Sequence, residues 1–195
     1  MSRTQFLATF VISKNKTKKK DMATWNLDKA HSEIEFKVKH MMVSNVKGQF
    51  KDFDVILASD SDDITQGKVN VDIKSGSIDT KSEQRDQHLK SEDFFNVSAY
   101  PAIKFTSTEI KKIDDESYEI TGDLTIKEVS KPVTFKAEFG GIAKDPWGNQ
   151  KTGYTVTGKI NRQEFDLTWN TALETGGVMV SNDVKIQAEI QFVLA

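Results

Sequence analysis

Apolar and polar residues alternate strictly along much of this chain. In the clearest case, Val184, Ile186, Ala188, Ile190 and Phe192 are apolar and every residue between them is polar. Successive side chains of a β-strand point to opposite faces, so this pattern predicts a strand with one buried face and one solvated face. The same alternation predicts strands near residues 34–38, 69–73, 118–126 and 133–139, and weaker ones near residues 46–50, 55–57, 103–105 and 154–160.

The eight or nine predicted strands indicate an all-β fold with an antiparallel sheet. Parallel strands are buried on both faces, whereas a single wet face is typical of antiparallel sheets. Turn-forming residues separate the strands at positions 60–63, 114–116, 140–141 and 145–149. Such clusters of Asp, Gly, Pro and Asn mark the reversals that antiparallel neighbours need.

One stretch departs from this rhythm and predicts a short surface helix near residues 81–90. Thr80 followed by Glu83 has the form of a capping box, in which each side chain satisfies a free backbone donor. Leu89 is the only large apolar residue within the stretch, so the helix is expected to lie in solvent. Phe94 and Phe95 follow it as expected anchors to the core.

A sheet of this many strands hides its apolar face either in a sandwich or in a closed barrel. An eight-stranded barrel is just wide enough to be filled by side chains or to hold one small ligand. Large inward residues such as Phe36 and Phe135 alternate with small ones such as Gly48, Gly122 and Gly158. Interdigitated packing and an open lumen both account for this mixture, and periodicity alone favours the filled core.

The charge distribution divides the chain into two parts. Residues 1–21 contain six basic residues and one acidic residue, whereas residues 22–195 contain 21 basic and 28 acidic residues. The first part has too few apolar residues to span a bilayer and lacks the order of a signal peptide. We therefore expect residues 1–21 to be a disordered basic leader and residues 22–195 to form a single all-β domain.

Several functional classes find little support in the residues. The chain has no cysteine and three histidines, which leaves little material for a metal site. His31 and His40 are nine residues apart and face opposite sides if one strand contains both. No serine elbow, zinc-protease motif or phosphate loop is present. The net negative charge of residues 22–195 disfavours nucleic acid. We expect no catalysis, no cofactor and no metal.

Several ordered motifs of the chain resemble the YceI-like, polyisoprenoid-binding family. The most specific is residues 85–95, which read Arg-Asp-Gln-His-Leu-Lys-Ser-Glu-Asp-Phe-Phe. Further motifs lie at residues 25–36, 38–42, 46–50, 100–101, 105–107, 122–126, 131–133 and 160–165, although Asp166 stands where the family usually has glycine. The resemblance covers residues 24–195. It implies an extended lipocalin-like antiparallel barrel that holds a long isoprenoid or similar fatty chain without catalysis.

This resemblance shifts the expectation from a filled core to a lumen that binds an apolar chain. Burial of apolar surface would drive binding, at roughly 25 cal/mol per Å². The residues expected to line the lumen are the inward members of the alternating segments: Ile34, Phe36, Val38, His40, Val46, Phe50, Val71, Ile73, Phe105, Ile120, Leu124, Val133, Phe135, Phe139, Val156, Ile160, Ile186, Ile190 and Phe192.

Three residues in the motif segments are candidates for contact with a polar head group: Arg85, His88 and Arg162. For each of them a structural role, in a cap or an ion pair, is the favoured interpretation. The alternative function is a stress-related structural or interaction protein whose barrel is full and binds no lipid. The resemblance is also compatible with a homodimer. The sequence predicts no stable membrane insertion and favours a cytoplasmic location, with a secreted or periplasmic one remaining open.

Overall fold

The computed structural model describes residues 23–60, 63–173 and 177–194, so the predicted leader lies outside the described residues. Eleven strands make up most of the described chain. In chain order they are β1 (Ala23–Leu27), β2 (Glu33–His40), β3 (Ser44–Phe50), β4 (Phe53–Asp60), β5 (Asp63–Lys74), β6 (Ile78–Asp79), β7 (Ala102–Lys112), β8 (Ser117–Ile126), β9 (Val129–Lys144), β10 (Gln150–Asn161) and β11 (Val180–Leu194).

Eight of these strands close into an antiparallel barrel, which confirms the predicted fold class. The order around the barrel is β1, β4, β5, β7, β8, β9, β10 and β11, and β11 returns to β1. The remaining strands, β2, β3 and β6, extend the sheet from β11. Closure removes the free sheet edges, because the first and last strands of the ring satisfy each other's backbone groups.

Strand β11 is long enough to serve two partners on one side. Its residues Val180 to Glu189 pair with β2, and its last residues pair with β1, where Phe192 lies opposite Leu27 and Leu194 lies opposite Trp25. Its other side pairs with β10 along almost its whole length. One edge of β11 therefore pairs with β10 in the barrel wall. On its other edge, the first part pairs with the β2–β3 hairpin and the end pairs with β1.

The one α-helix among the described residues, α1 (Glu83–Lys90), confirms the predicted surface helix but not its capping box. The residue at the helix start is Ser82, and its side chain makes no capping hydrogen bond. The Thr80 hydroxyl instead donates to Asp86 Oδ1 at 2.5 Å and accepts from Arg85 Nε at 2.7 Å. The prediction of a capping box was wrong because the Thr80 hydroxyl forms hydrogen bonds with two side chains of the helix, those of Asp86 and Arg85.

Three short 3₁₀ helices fill connections between strands, at Lys29–His31, Ser75–Ser77 and Arg162–Phe165. The first of them contains His31, so His31 and His40 do not share strand β2. The inward face of the barrel forms one apolar cluster that reaches from Trp25 to Phe192. As the alternation predicts, the charged residues lie mostly on the outer face.

Candidate apolar ligand site

The barrel encloses a cavity of about 250 Å³. Thirty-two residues line it, from seven of the eight barrel strands, from β2, β3 and β6, and from the connections at one end, and all but Glu35 and Arg162 are apolar or aromatic. Ligand sites of this kind are concave, largely apolar and formed before the ligand arrives. The space can therefore accept an apolar molecule with little rearrangement of the wall.

Fifteen of the nineteen residues predicted to line the lumen do line this cavity. Each of these fifteen lies on the inward face of a strand. The four others lie outside the lining: His40, Val46, Val133 and Phe139. His40 is the last residue of β2 before the turn, Val46 lies on β3 opposite the lining residue Val38, and Phe139 packs against Tyr154. Contact of any of these residues with a ligand stays a prediction.

The cavity has further lining residues that were not predicted. Some lie at apolar positions of the alternating segments, so the alternating pattern could have identified them: Val55, Leu57, Val69, Ile103, Ile126, Tyr154, Val184 and Ala188. The others are Glu35, Ile64, Ile78, Leu89, Phe94, Phe95, Leu167 and Val180. Of this second group, Leu89, Phe94, Phe95 and Leu167 lie outside the strands, where no two-residue period can reveal them.

Glycines beneath three phenylalanine rings shape the wall of the cavity. A Cβ atom added at Gly158 would lie 2.3 Å from Cδ1 of Phe135, and one at Gly48 would lie 2.3 Å from Cζ of Phe36. Gly122 has the same relation to Phe105, with a distance of 2.6 Å to Cζ. The rings thus occupy space above residues that have no side chain. The mixture of large and small inward residues serves packing within the wall and leaves a lumen as well.

Aromatic packing closes one end of the barrel, which we call the turn end because short turns at residues 113–116 and 145–149 lie there. Tyr154 packs against Phe139 and Phe192, with ring centroids 5.4 and 6.2 Å apart, and Trp25 is buried beside them. Burial raises the pKa of the Tyr154 phenol to about 12. Its side chain is therefore neutral at physiological pH, as suits an apolar cavity.

The opposite end, which we call the loop end, is formed by the β2–β3 turn, residues 80–101, residues 162–173 and residues 177–179. His88 packs edge-on against Phe94 and Trp169, with ring centroids 5.1 and 4.8 Å apart. Phe94 and Trp169 also contact each other at 5.3 Å. This His88–Phe94–Trp169 cluster joins α1 to the connection before β11. Leu89, Phe94 and Leu167 present their side chains to the cavity at the same end.

Arg162 ties the loop end to the barrel wall from a buried position, with an exposed fraction of 3%. Its guanidinium donates to the backbone carbonyls of Ser181 at 3.0 Å, Trp169 at 2.9 Å and Val180 at 3.3 Å, and also to that of Leu167. Burial lowers the pKa of Arg162 from its ordinary value. These carbonyl dipoles compensate a charge that would otherwise be costly to bury.

The other two head-group candidates lie outside the cavity lining. The Arg85 guanidinium donates to the Thr80 hydroxyl and to the Thr80 carbonyl at 2.7 and 2.8 Å. His88 Nε2 lies 2.9 Å from Asp93 Oδ2. Arg162 does line the cavity, with four of its five N–H groups engaged by carbonyls. Contact of any of the three with a ligand head group remains a prediction.

Across residues 23–60, 63–173 and 177–194, no group of three or more His, Asp or Glu side chains is placed to hold a metal ion. Within the same ranges, no helix is both long enough and apolar enough to cross a membrane.

The fold and its cavity define a class: an antiparallel barrel of the lipocalin-like kind with an enclosed apolar lumen. The sequence profile of the YceI-like domain matches residues 25–192. A UPF0312 protein of Staphylococcus epidermidis is 45% identical over 172 residues, which are 88% of this chain and 98% of that protein. The chain belongs to the YceI-like family.

Solved structures agree with this assignment. The crystal structure of the Campylobacter jejuni YCEI protein is 40% identical and has a TM-score of 0.70, covering 86% of this chain and 95% of that one. A polyisoprenoid binding domain from Saccharophagus degradans has a TM-score of 0.66 with 11% identity, over 88% of this chain and 98% of that one. At that identity, the second likeness shows the fold alone.

Proposed function

We propose that this protein binds a long-chain apolar ligand, a polyisoprenoid or a fatty-acid-derived lipid, in the barrel cavity, and stores or transports it without chemical change. The cavity of about 250 Å³ with its almost entirely apolar lining is the observation that carries the proposal. A long apolar chain is insoluble in water, and a lumen of this kind replaces water along its surface. The polyisoprenoid binding named for a structural neighbour agrees with this ligand class.

Mass measurement distinguishes this function from the filled-barrel alternative. We expect native mass spectrometry of the purified full chain to show a bound species, and organic extraction of the same sample to release a long-chain lipid. The same spectra give the oligomeric state and so test the expected homodimer. A bare polypeptide mass that also fails to take up added isoprenoid or fatty-amide probes would leave the structural or interaction role as the better description.

A single methyl group tests whether the cavity itself is the binding site. In the variant Gly158→Ala, the new Cβ would overlap Phe135 and contact no other residue closely, so the ring must move into the lumen. We expect probe uptake to fall about tenfold or more, because the lost volume cannot be recovered elsewhere in a packed wall. The double variant Gly158→Ala/Phe135→Leu gives the methyl group room, and uptake should recover.

The matched control is Gly153→Ala on the same strand. A Cβ at Gly153 would meet only the Ile190 carbonyl oxygen, at an ordinary distance of 3.9 Å. Uptake by this variant should equal that of the parent protein. Equal uptake by Gly158→Ala, with its fold retained by circular dichroism, would place the ligand elsewhere on the molecule and contradict the proposal.

A further inference from the structure

The turn between β2 and β3 carries exposed apolar side chains at the loop end. Met41, Met42 and Val43 have exposed fractions of 45, 57 and 89%. The Met41 backbone N–H donates to the Met179 carbonyl at 2.7 Å, which places the turn beside Val178, itself 38% exposed. We call Met41, Met42, Val43 and Val178 the apolar tip. A contiguous exposed patch of this kind marks an interaction site more often than scattered apolar residues do.

The backbone of this turn is unusual for the residues that occupy it. Met41 and Met42 have φ angles of 52° and 61°, and the Val43 N–H donates to the His40 carbonyl at 3.2 Å. These features define a type I′ turn, whose two central positions favour Asn and Gly. Two methionines at these positions favour neither the turn nor solubility, so the structure alone does not account for them.

A row of four lysines crosses the outer wall next to the apolar tip. Lys47 of β3 lies opposite Lys37 of β2, Lys37 lies opposite Lys185 of β11, and Lys185 lies opposite Lys159 of β10. All four are exposed. Like charges directly opposite each other on neighbouring strands are destabilising. The row therefore concentrates positive charge on one patch at a cost to the fold.

The charged neighbours of this lysine row leave it net positive. Lys39 adds a further exposed charge between the row and the tip. Lys159 pairs with Asp183 at 2.9 Å, and Glu35, two residues before Lys37 on β2, is half-buried. Acidic residues become frequent only beyond Glu35, where Glu33 lies opposite Glu189. The positive charge is thus concentrated on the side of the wall near the apolar tip.

We propose that the apolar tip and the lysine row form a peripheral docking surface for a membrane that contains anionic lipids. Apolar side chains at the tip enter the interfacial region, while the lysines attract the lipid phosphates. Neighbouring strands lie about 4.8 Å apart, so the row spans roughly 15 Å of the wall and can meet several head groups. The charge pattern favours a membrane over an apolar protein partner, because only an anionic surface uses both features together.

The position of this surface connects it with the cavity. Val38 and Val180 line the cavity, and Val180 lies opposite His40 at the foot of the same turn. When the β2–β3 hairpin contacts the membrane, the loop end of the cavity faces the membrane surface. The inference goes beyond ligand binding, because docking can be measured on protein without ligand and can fail while ligand binding holds.

The test is sedimentation of the full chain with vesicles of two compositions. We expect binding to vesicles of equal parts phosphatidylglycerol and phosphatidylcholine, little binding to phosphatidylcholine alone, and strong weakening by 0.5 M salt, since salt screens surface charge. The variant Lys37→Gln/Lys185→Gln should bind about 30-fold more weakly. It removes repulsion within the row, so folding is not at risk.

A second variant removes the apolar tip and improves the turn at the same time. Met41→Asn/Met42→Gly supplies the residues that a type I′ turn favours, so the hairpin should be retained while vesicle binding falls about tenfold. Residues 1–21 are present in every variant, so a change between variants reports the surface and not the basic leader.

Two control variants remove exposed lysines or an exposed apolar side chain from parts of the surface away from the apolar tip and the lysine row. Lys104→Gln/Lys111→Gln removes two exposed charges from β7, and Trp147→Ala removes an 83% exposed aromatic side chain at the turn end. Vesicle binding should be unchanged in both. Equal binding to the two vesicle types, or full binding by both surface variants, would overturn the proposal. So would a dimer in light scattering that Met41→Asn/Met42→Gly dissociates, since a second copy would then occupy the tip.

Discussion

The turn end and the loop end close the same cavity with different kinds of contact. At the turn end, Trp25, Tyr154 and Phe192 pack directly against the wall, and the connections are short. At the loop end, long connections cover the cavity, and Arg162 holds them through backbone carbonyls. Packing contacts are lost only when the barrel itself loosens, whereas a hydrogen-bonded cover can open locally. We therefore expect the turn end to contribute more to stability and the loop end to be the route by which a ligand enters.

The largest expected effect follows from removing the Arg162 side chain. Arg162→Ala leaves four carbonyls that the guanidinium satisfied without a donor, so we expect a loss of about 4 kcal/mol in the free energy of unfolding, measured by urea titration. Arg85→Ala is the control, because Arg85 is exposed and serves only Thr80, and it should cost about 1 kcal/mol. Similar losses in the two variants would show that Arg162 does not hold the loop end.

A pair of aromatic truncations sharpens the comparison between the two ends. Phe192→Ala removes a side chain with an exposed fraction of 3% and should cost about 3–4 kcal/mol of stability. Trp169→Ala removes a half-buried ring that contacts His88 and Phe94, and should cost only about 1–2 kcal/mol.

The two truncations should differ in the opposite order when release of a bound isoprenoid probe is measured. Release should become several-fold faster in Trp169→Ala, because the cover of the loop end is weakened while the wall stays packed. Stopped-flow fluorescence of a preloaded probe measures the rate. Faster release from Phe192→Ala than from Trp169→Ala would reverse the assignment of access to the loop end.

The smallest expected effects are changes in how stability depends on pH. Hydrogen bonds from Lys51, the Lys81 backbone and Gln49 lower the pKa of Asp79 to about 2, from an ordinary 3.8. Its contribution is thus present above about pH 4 and is lost as the pH falls towards 2. For Tyr154 the pKa is raised to about 12 from 10, so stability falls as the pH rises from 10 to 12.

Each substitution should therefore flatten one side of the stability curve and leave the other unchanged. Asp79→Asn, next to α1, should reduce the loss of unfolding free energy at acid pH. Tyr154→Phe, at the turn end, should reduce the loss at alkaline pH. Urea unfolding at a series of pH values measures both. An acid dependence that survives Asp79→Asn undiminished would mean that another carboxylate is responsible.

The strands of the barrel could be predicted because their chemistry repeats every second residue. The alternation that ends in Ile190 and Phe192 states which face is buried. The number of strands allowed a sandwich or a closed barrel, and only the family resemblance implied the barrel. The four predicted residues outside the lining show the limit of this signal. His40 and Val46 have the inward parity, but parity does not tell how far along a hairpin the cavity extends.

The loop end could not be predicted, because its contacts join segments that have no period. Leu167 and Phe94 reach the cavity from connections, and their positions depend on the path of the backbone. The burial of Arg162 depends on carbonyls up to 19 positions away in the sequence. The capping box was predicted wrongly for a related reason. Thr80 forms hydrogen bonds with Asp86 and Arg85, which the Thr80–Glu83 motif does not include.

The double pairing of β11 has a consequence for how the barrel folds. The pairs that close the ring, such as Trp25 with Leu194, join the first and the last described strands. Contacts between such distant parts of a chain form slowly, because the entropy of the intervening loop is lost before any contact compensates for it. We expect the β7–β8–β9–β10 meander, which is built from neighbouring hairpins, to form first. The seam, meaning the β1–β11 pairing that closes the ring, should form afterwards. Mutations at that seam should therefore slow folding less than they speed unfolding, and refolding kinetics would distinguish them from mutations in the meander.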